Sequence, residues 1–436
     1  MTLMPLMFAA TSDLAGKVRG KAFPADQIAK RLQRGLGWTP TNVQITCFDR
    51  IADTPFGALG DLLLIPDADT EVNVAMPDNT TERLMLGDIT TLAGAPWELC
   101  TRSILKSALA RLHDVAGAHL VCAFEHEFQL KTDPPLVNEA YTREGFEKQR
   151  VLCETLMAVL KDAGLAPDSI MKEYGPSQYE VVVAPAQGVA AADQAVILRE
   201  LTRSTARALG QAATFTPIRD VASVGNGVHI HMSFVDDDGA PLSYDANGPC
   251  GMSSLTDSFA AGILKYLPSL VALTAPSVIS YERLTPHRWS AAYNNLGFRD
   301  REASLRVCPV TAKDPASIAR QFNIEFRAAD AAASPHLALA ALVHAGAQGI
   351  EEGLNASTPT EEDLSLLSAD ALAARGLVRL PETLKAALDA FSSDPVVTSW
   401  FPEPFAAVYK AHKEGEMAHL AEMDVAACCA AYEDTY

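Results

Sequence analysis

Four short segments alternate apolar with polar side chains and put carboxylates and imidazoles on the polar side, which constrains the fold more than any other feature. In LVCAFEHEFQL the two-residue period of a strand sets Glu125 and Glu127 on one face. Cys122, Phe124, Phe128 and Leu130 take the other face together with His126. In GNGVHIHMSF the same period separates His229, His231 and Ser233 from Val228, Ile230, Met232 and Phe234. NIEFRAAD pairs Glu325 with Arg327 opposite Ile324 and Phe326, and KEYGPSQYEVVVAP adds Glu173 before a Gly/Pro turn and Glu180 at the start of an apolar strand. An amphipathic strand with its polar face in water accounts for any one of these. Five glutamates and two histidines with few compensating lysines need a common answer to their mutual repulsion, and divalent cations supply it. Carboxylate oxygens with one imidazole suit magnesium or manganese, whereas zinc more often recruits cysteine. Two such ions can clamp phosphoryl oxygens.

The rest of the chain organises around these strands. Residues 1–96 are rich in Pro, Gly and short alternating runs, such as 42–48 and 61–65, and read as a small sheet-based module. From Trp97 onward helical periodicity spans 102–116, 143–163, 190–210, 254–274, 336–353 and 404–431. Helices alternating with polar-faced strands predict an α+β fold with an N-terminal domain over 1–96 and a second domain over 97–436. A hydrophobic content of 48% suffices for a large core, and no apolar run approaches the roughly 18 residues of a membrane helix. The opening residues lack a signal peptide's basic n-region, so the cytoplasm is the expected compartment. A formal charge of −19 argues against nucleic acid and anionic membranes as partners. The eight cysteines form no CxxC pair and read as buried thiols.

Against that acidity, SYERLTPHRWSAAYNNLGFRDREASLRVCP concentrates Arg283, Arg288, Arg299, Arg301 and Arg306, which suits an anion site because guanidinium binds phosphate and carboxylate bidentately. No GxxxxGK[ST] occurs, so a nucleotide would be held by metals and arginines.

The ordered set FEHEF, EYGPSQYE, GNGVHIHMS, SYERL, REASLR and IEFRAADAAASPHLALAAL resembles the signature series of glutamine synthetases over nearly the whole chain. DLAGKVRGK, GDLLLIPD and PWELCTRSILK are similar to that family's N-terminal β-grasp domain and its exit. The resemblance implies a curved antiparallel catalytic sheet with helices, ATP as substrate, and two or three Mg2+ or Mn2+ ions per active site. It assigns Glu127, Glu173 and Glu180 to one ion, and Glu125, His229 and Glu325 to another. His231 and Ser233 would lie by the nucleotide, with Arg301 and Arg306 on its phosphates. Arg283 and Arg327 would grip the amino-acid carboxylates, and Gly225 would allow close backbone approach. Asp49, in CFDRIADTPFG, matches the amine-site aspartate contributed by a neighbouring subunit. With Glu180 and Arg301 it completes the implied catalytic set. A ring-based oligomer, usually a dodecamer, is implied too.

One departure bears on the substrate. Ammonia-using members carry a glutamate in a Pro-Gly-Tyr-Glu-Ala-Pro loop, but here the run is PHRWSA and Trp289 stands in its place. That exchange resembles the one in γ-glutamylpolyamine and related γ-glutamylamine synthetases. An indole offers an apolar, cation-attracting face and cannot accept a proton. The resemblance therefore implies ligation of a small amine to glutamate or a close analogue. Ammonia ligation and a non-catalytic assembly are the alternatives. Val224, Ile218 and Asn323 also replace polar family residues.

Overall fold

The computed structural model describes residues 3–53 and 55–436. The first sheet contains β1 (Leu6–Ser12), β2 (Val18–Pro24), β3 (Leu36–Trp38), β4 (Leu62–Pro66), β5 (Val72–Ala75) and β6 (Thr81–Thr91). Its order is β2-β1-β6-β4-β3, with β5 also on β6 and β1 parallel to β6. The alternating run 61–65 overlaps β4, which starts one residue later and ends at Pro66. Residues 42–48 do not form a strand: Pro40 pre-sets a tight 3-10 turn over Pro40–Gln44 and buries Val43 and Gln44.

The second sheet comprises β7 (His119–Leu130), β8 (Pro167–Lys172), β9 (Gln178–Val183), β10 (Ala186–Gln187), β11 (Ala213–Thr214), β12 (Val228–Val235), β13 (Leu296–Phe298), β14 (Leu305–Val307) and β15 (Ile324–Phe326). The order β13-β14-β15-β12-β7-β9-β8 is antiparallel except for β13 with β14, and β10 and β11 both pair β7. Register decides which polar residues meet. His229 pairs with Glu125, Glu127 with Glu180, and Glu325 with both His231 and Arg306. A slip of one residue would turn all of them into the core.

Behind the sheet, Phe124, Phe128, Ile230, Met232, Ile324 and Phe326 are buried among the helices. The helices Ser254–Thr274 and Pro335–Glu351 cross at Gly262 and Gly349, where a Cβ on Gly262 would strike the Ala345 carbonyl. The alanine-rich helix thus serves close packing as well as helix propensity. Two predicted helices are split. The 143–163 pattern breaks at Gln149 into Arg143–Lys148 and Arg150–Asp162, and 404–431 becomes Phe405–Leu420 and Val425–Glu433, the latter capped by Asp424.

A buried cation ties the layers together. Arg102, on the helix Thr101–Ala116, donates to Asp193 at 2.9 Å and to Asp67 at 2.7 Å, and reaches Asp88 at 3.1 Å. His336 Nε2 lies 2.7 Å from Asp193 Oδ1, the oxygen that also accepts from Arg102 Nε. Among the described residues no helix is long and apolar enough to cross a membrane.

Candidate active site

Four neighbouring strands, β15, β12, β7 and β9, deliver the carboxylates and an imidazole. Donor atoms of Glu125, His229 and Glu325 lie within 4.8 Å of one another, and so do those of Glu127, Glu180 and His229. The first set is the one that the resemblance implies. In the second, His229 stands where Glu173 was expected. Glu173 instead accepts from the Tyr141 hydroxyl at 2.8 Å and the Tyr174 amide at 3.0 Å.

The electrostatics are uneven. Burial and the charges of Glu125, Glu127, Glu173 and Glu325 push the Glu180 carboxyl up to about 9. Burial and Glu127 raise Glu173 as well. For Glu125 burial is outweighed by hydrogen bonds with His229 and His231, which hold it well below the usual range. Glu325 is held at about 2, because the charges of His229, Arg327, His231 and Arg306 overcome its burial. The site therefore has an anion-rich half around Glu180 and a cation-balanced half around Glu325. Oxygen donors with one imidazole at this spacing fit divalent ions of the magnesium or manganese type, and the repulsion at Glu180 is what such an ion would relieve.

Several partners were not singled out from sequence. Gln178 donates to Glu127 at 3.1 Å, to the Gly225 carbonyl at 2.9 Å and to Asn226 at 3.0 Å. Its signal was available, since it shares a strand face with Glu180. The Gly227 amide donates to Glu127 at 2.7 Å. Cys308, buried as expected, also sits 3.6 Å from Glu325 and 3.7 Å from His231, which the sequence does not reveal. Tyr141 comes from an irregular loop and carried no pattern at all.

The arginines divide. Arg306 donates to Glu325 at 2.7 Å and Arg327 bonds its other oxygen, so both cations are tied to one carboxylate. Arg283 is buried and donates to the Ala329 carbonyl at 3.1 Å. A Cβ on Gly225 would come within 3.0 Å of the Arg283 side chain and collide with the Pro217 carbonyl. Arg301 is exposed on a loop. His231 Nδ1 meets Asn323 Oδ1 at 2.8 Å. His231, Ser233, Asn323 and Glu125, with Arg320, line a cavity of about 330 Å³. Asp49 lies on the first domain, exposed and paired with Arg19 at 3.0 Å, and is not joined to the carboxylate cluster within one chain.

Trp289 is half exposed and has φ 52, the left-handed region that a bulky residue rarely adopts. Its amide and that of His287 donate to the two oxygens of Glu302 at 3.3 and 3.2 Å. Its carbonyl accepts from Arg327 at 3.4 Å, and its ring stands edge-on to Tyr174 at 4.9 Å. Trp289 borders a cavity of about 690 Å³ whose walls include Asp300, Glu302, Glu361, Glu362 and Asp363.

Comparison with known proteins gives the family. The description "Glutamine synthetase, catalytic domain" matches residues 98–427, and "Glutamine synthetase N-terminal domain" matches residues 3–97. The chain belongs to the glutamine synthetase family. It is 32% identical to a γ-glutamylpolyamine synthetase of Streptomyces coelicolor, over 97% of this chain and 92% of that protein. Identity to a type-1 glutamine synthetase of Dictyostelium discoideum is 30%, covering 80% and 74%. A solved glutamine synthase homologue superposes with TM-score 0.92 at 39% identity, covering 100% of this chain and 99% of the other. The ADP complex of GmaS shares the fold, at TM-score 0.82 and 24% identity, with 97% and 95% covered. As a family member the chain is an ATP-dependent carbon–nitrogen ligase. The family uses ATP and divalent metals, joins glutamate with ammonia or an amine, and typically assembles as rings.

Proposed function

We propose that this ligase joins an organic amine to the γ-carboxylate of glutamate or a close analogue, cleaving ATP to ADP and phosphate. The observation that carries the reading is Trp289, an indole held half exposed in a strained conformation beside the site, where a carboxylate would be expected for ammonia. Its face, with Tyr174, suits an alkylammonium, and the acidic cavity beyond attracts cations. The similarity to a γ-glutamylpolyamine synthetase supports the same assignment.

In this reading Glu125, His229 and Glu325 hold one divalent ion, and Glu127 and Glu180, with Glu173, hold another. When bound, the ions offset charge as the γ-phosphoryl of ATP meets an anionic carboxylate. His231 and Ser233 border the nucleotide cavity, while Arg301 and Arg306 steady phosphate. Arg283 and Arg327 orient the amino acid, and Gly225 leaves room for it. The substrate γ-carboxylate takes the phosphoryl group, and the neutral amine then displaces phosphate from the acyl phosphate. Proton removal from the ammonium falls to Asp49 of an adjacent subunit, since the indole cannot accept it. That role requires a neighbouring subunit, and a ring-based dodecamer is the expected assembly. We place the domain boundary between residues 96 and 97, in the link from β6 to the helix Thr101–Ala116. The free, mostly buried thiols and the need for ATP suit the cytoplasm.

Glu302 supports a second reading, ammonia ligation, because it puts a carboxylate against the Trp289 backbone. Phosphate release with glutamate, ATP and Mg2+ separates the two across ammonia, alkylamines, ethanolamine and polyamines. An organic amine is expected to exceed ammonia in kcat/KM. Saturable turnover with ammonia and no better amine would overturn the proposal.

A further inference from the structure

Far from the carboxylate cluster, three elements bring two imidazoles and a carboxylate together at the surface. His113 occupies the last turn of the helix Thr101–Ala116, which ends at left-handed Gly117. His119 begins β7, two residues later. Asp237 sits in the turn after β12, whose Val235 is paired with His119. That turn is itself fastened, since the Asp236 carboxylate accepts the amides of Asp238 at 3.0 Å and Ala240 at 2.7 Å. Nε2 of His113 and Nε2 of His119 lie 3.1 and 2.8 Å from the same oxygen, Asp237 Oδ1, and the imidazole centroids are 4.8 Å apart.

We infer that His113, His119 and Asp237 form a peripheral binding site for a borderline-soft divalent transition ion of the zinc type. Tetrahedral zinc at about 2.0–2.1 Å from nitrogen and oxygen donors spaces neighbouring donors by roughly 3.3 Å, so a small outward shift admits the ion. Both ring nitrogens already point at one carboxylate from separate, anchored elements, so little ordering is left to binding. Two imidazoles with one carboxylate favour zinc, cobalt, nickel or copper over magnesium, the reverse of the carboxylate-rich cluster. His113 and His119 keep 41% and 34% of their side chains exposed and Asp237 74%, which leaves a fourth coordination position to water. Bound there, the ion would clip the helix end, the start of β7 and the β12 turn together.

The test is a Co2+ titration of the full-length protein in excess Mg2+, read by visible absorption and equilibrium dialysis, for the wild type, His119→Asn and Asp237→Asn. The wild type is expected to bind one more equivalent per chain than either variant and to show a tetrahedral cobalt band that both lack. Zn2+ should raise the Tm of the wild type more than that of the variants, and Mg2+-dependent ligase activity should be unchanged by both substitutions. Equal stoichiometry and equal spectra in all three proteins would reduce the cluster to a hydrogen-bonded surface triad and overturn the inference.

Discussion

Trp289→Glu should invert the amine preference. The indole is 51% exposed, so a bound alkylammonium retains part of its hydration, and its cation–π attraction falls in the range of about 0.5–2 kcal/mol. At roughly 1.4 kcal/mol per tenfold, losing the face lowers kcat/KM for the organic amine by about 2- to 30-fold. The new carboxylate, next to the Glu302-bound amides, gives ammonium a counter-charge and a proton acceptor, so ammonia turnover should rise. The two changes multiply in the ratio of kcat/KM values, for which a shift on the order of 10- to 100-fold toward ammonia is expected. Competition between the best organic amine and ammonia, read by mass spectrometry of the two amides, measures that ratio directly. A general loss of folding or metal lowers both products equally and leaves the ratio alone. A ratio within twofold of wild type would refute the role of the indole, whatever happened to the rates.

Arg102→Met should destabilise the fold by about 3–5 kcal/mol in urea unfolding, because it takes the cation from the buried Asp193 and leaves it with His336. R102M/D193L should recover part of that loss, and a cost below about 1 kcal/mol for R102M alone would show that the network is dispensable. Asp330 is buried; burial, partly offset by Arg283 and a hydrogen bond with Ser280, raises its carboxyl from 3.8 to about 6. The folded form therefore holds a proton that the unfolded chain releases, a contribution fully present below pH 3.8 and lost as pH rises through about 6. At 1.36 kcal/mol per unit this amounts to about 3 kcal/mol, so Asp330→Asn should flatten the fall in Tm between pH 4 and 7. Parallel Tm profiles for the two proteins would rule the linkage out.

Periodicity alone placed Glu125, Glu127, His229, His231 and Glu325 on polar strand faces and their apolar neighbours in the core, because alternation is a local property of an extended chain. The Arg283–Arg306 cluster and Trp289 were legible as residue types in an acidic protein, and the ordered motifs pointed to the family. Pairing partners were not legible. That His229 faces Glu125 while its donor atoms also join Glu127 and Glu180, and that Glu173 turns to Tyr141, follow from register and from a loop whose contacts are long-range. The same holds for Arg306 and Arg327 sharing Glu325, and for His113, His119 and Asp237 meeting at one surface. The split at Gln149 and the turn at Pro40–Gln44 show the limit of local patterning, where backbone geometry and packing outweigh an apolar repeat. Sequence by itself determined which side chains could carry charge on which face. Tertiary structure decided which charges meet, since the energies that shift Glu180 and Glu325 in opposite directions depend on distances across strands far apart in the chain.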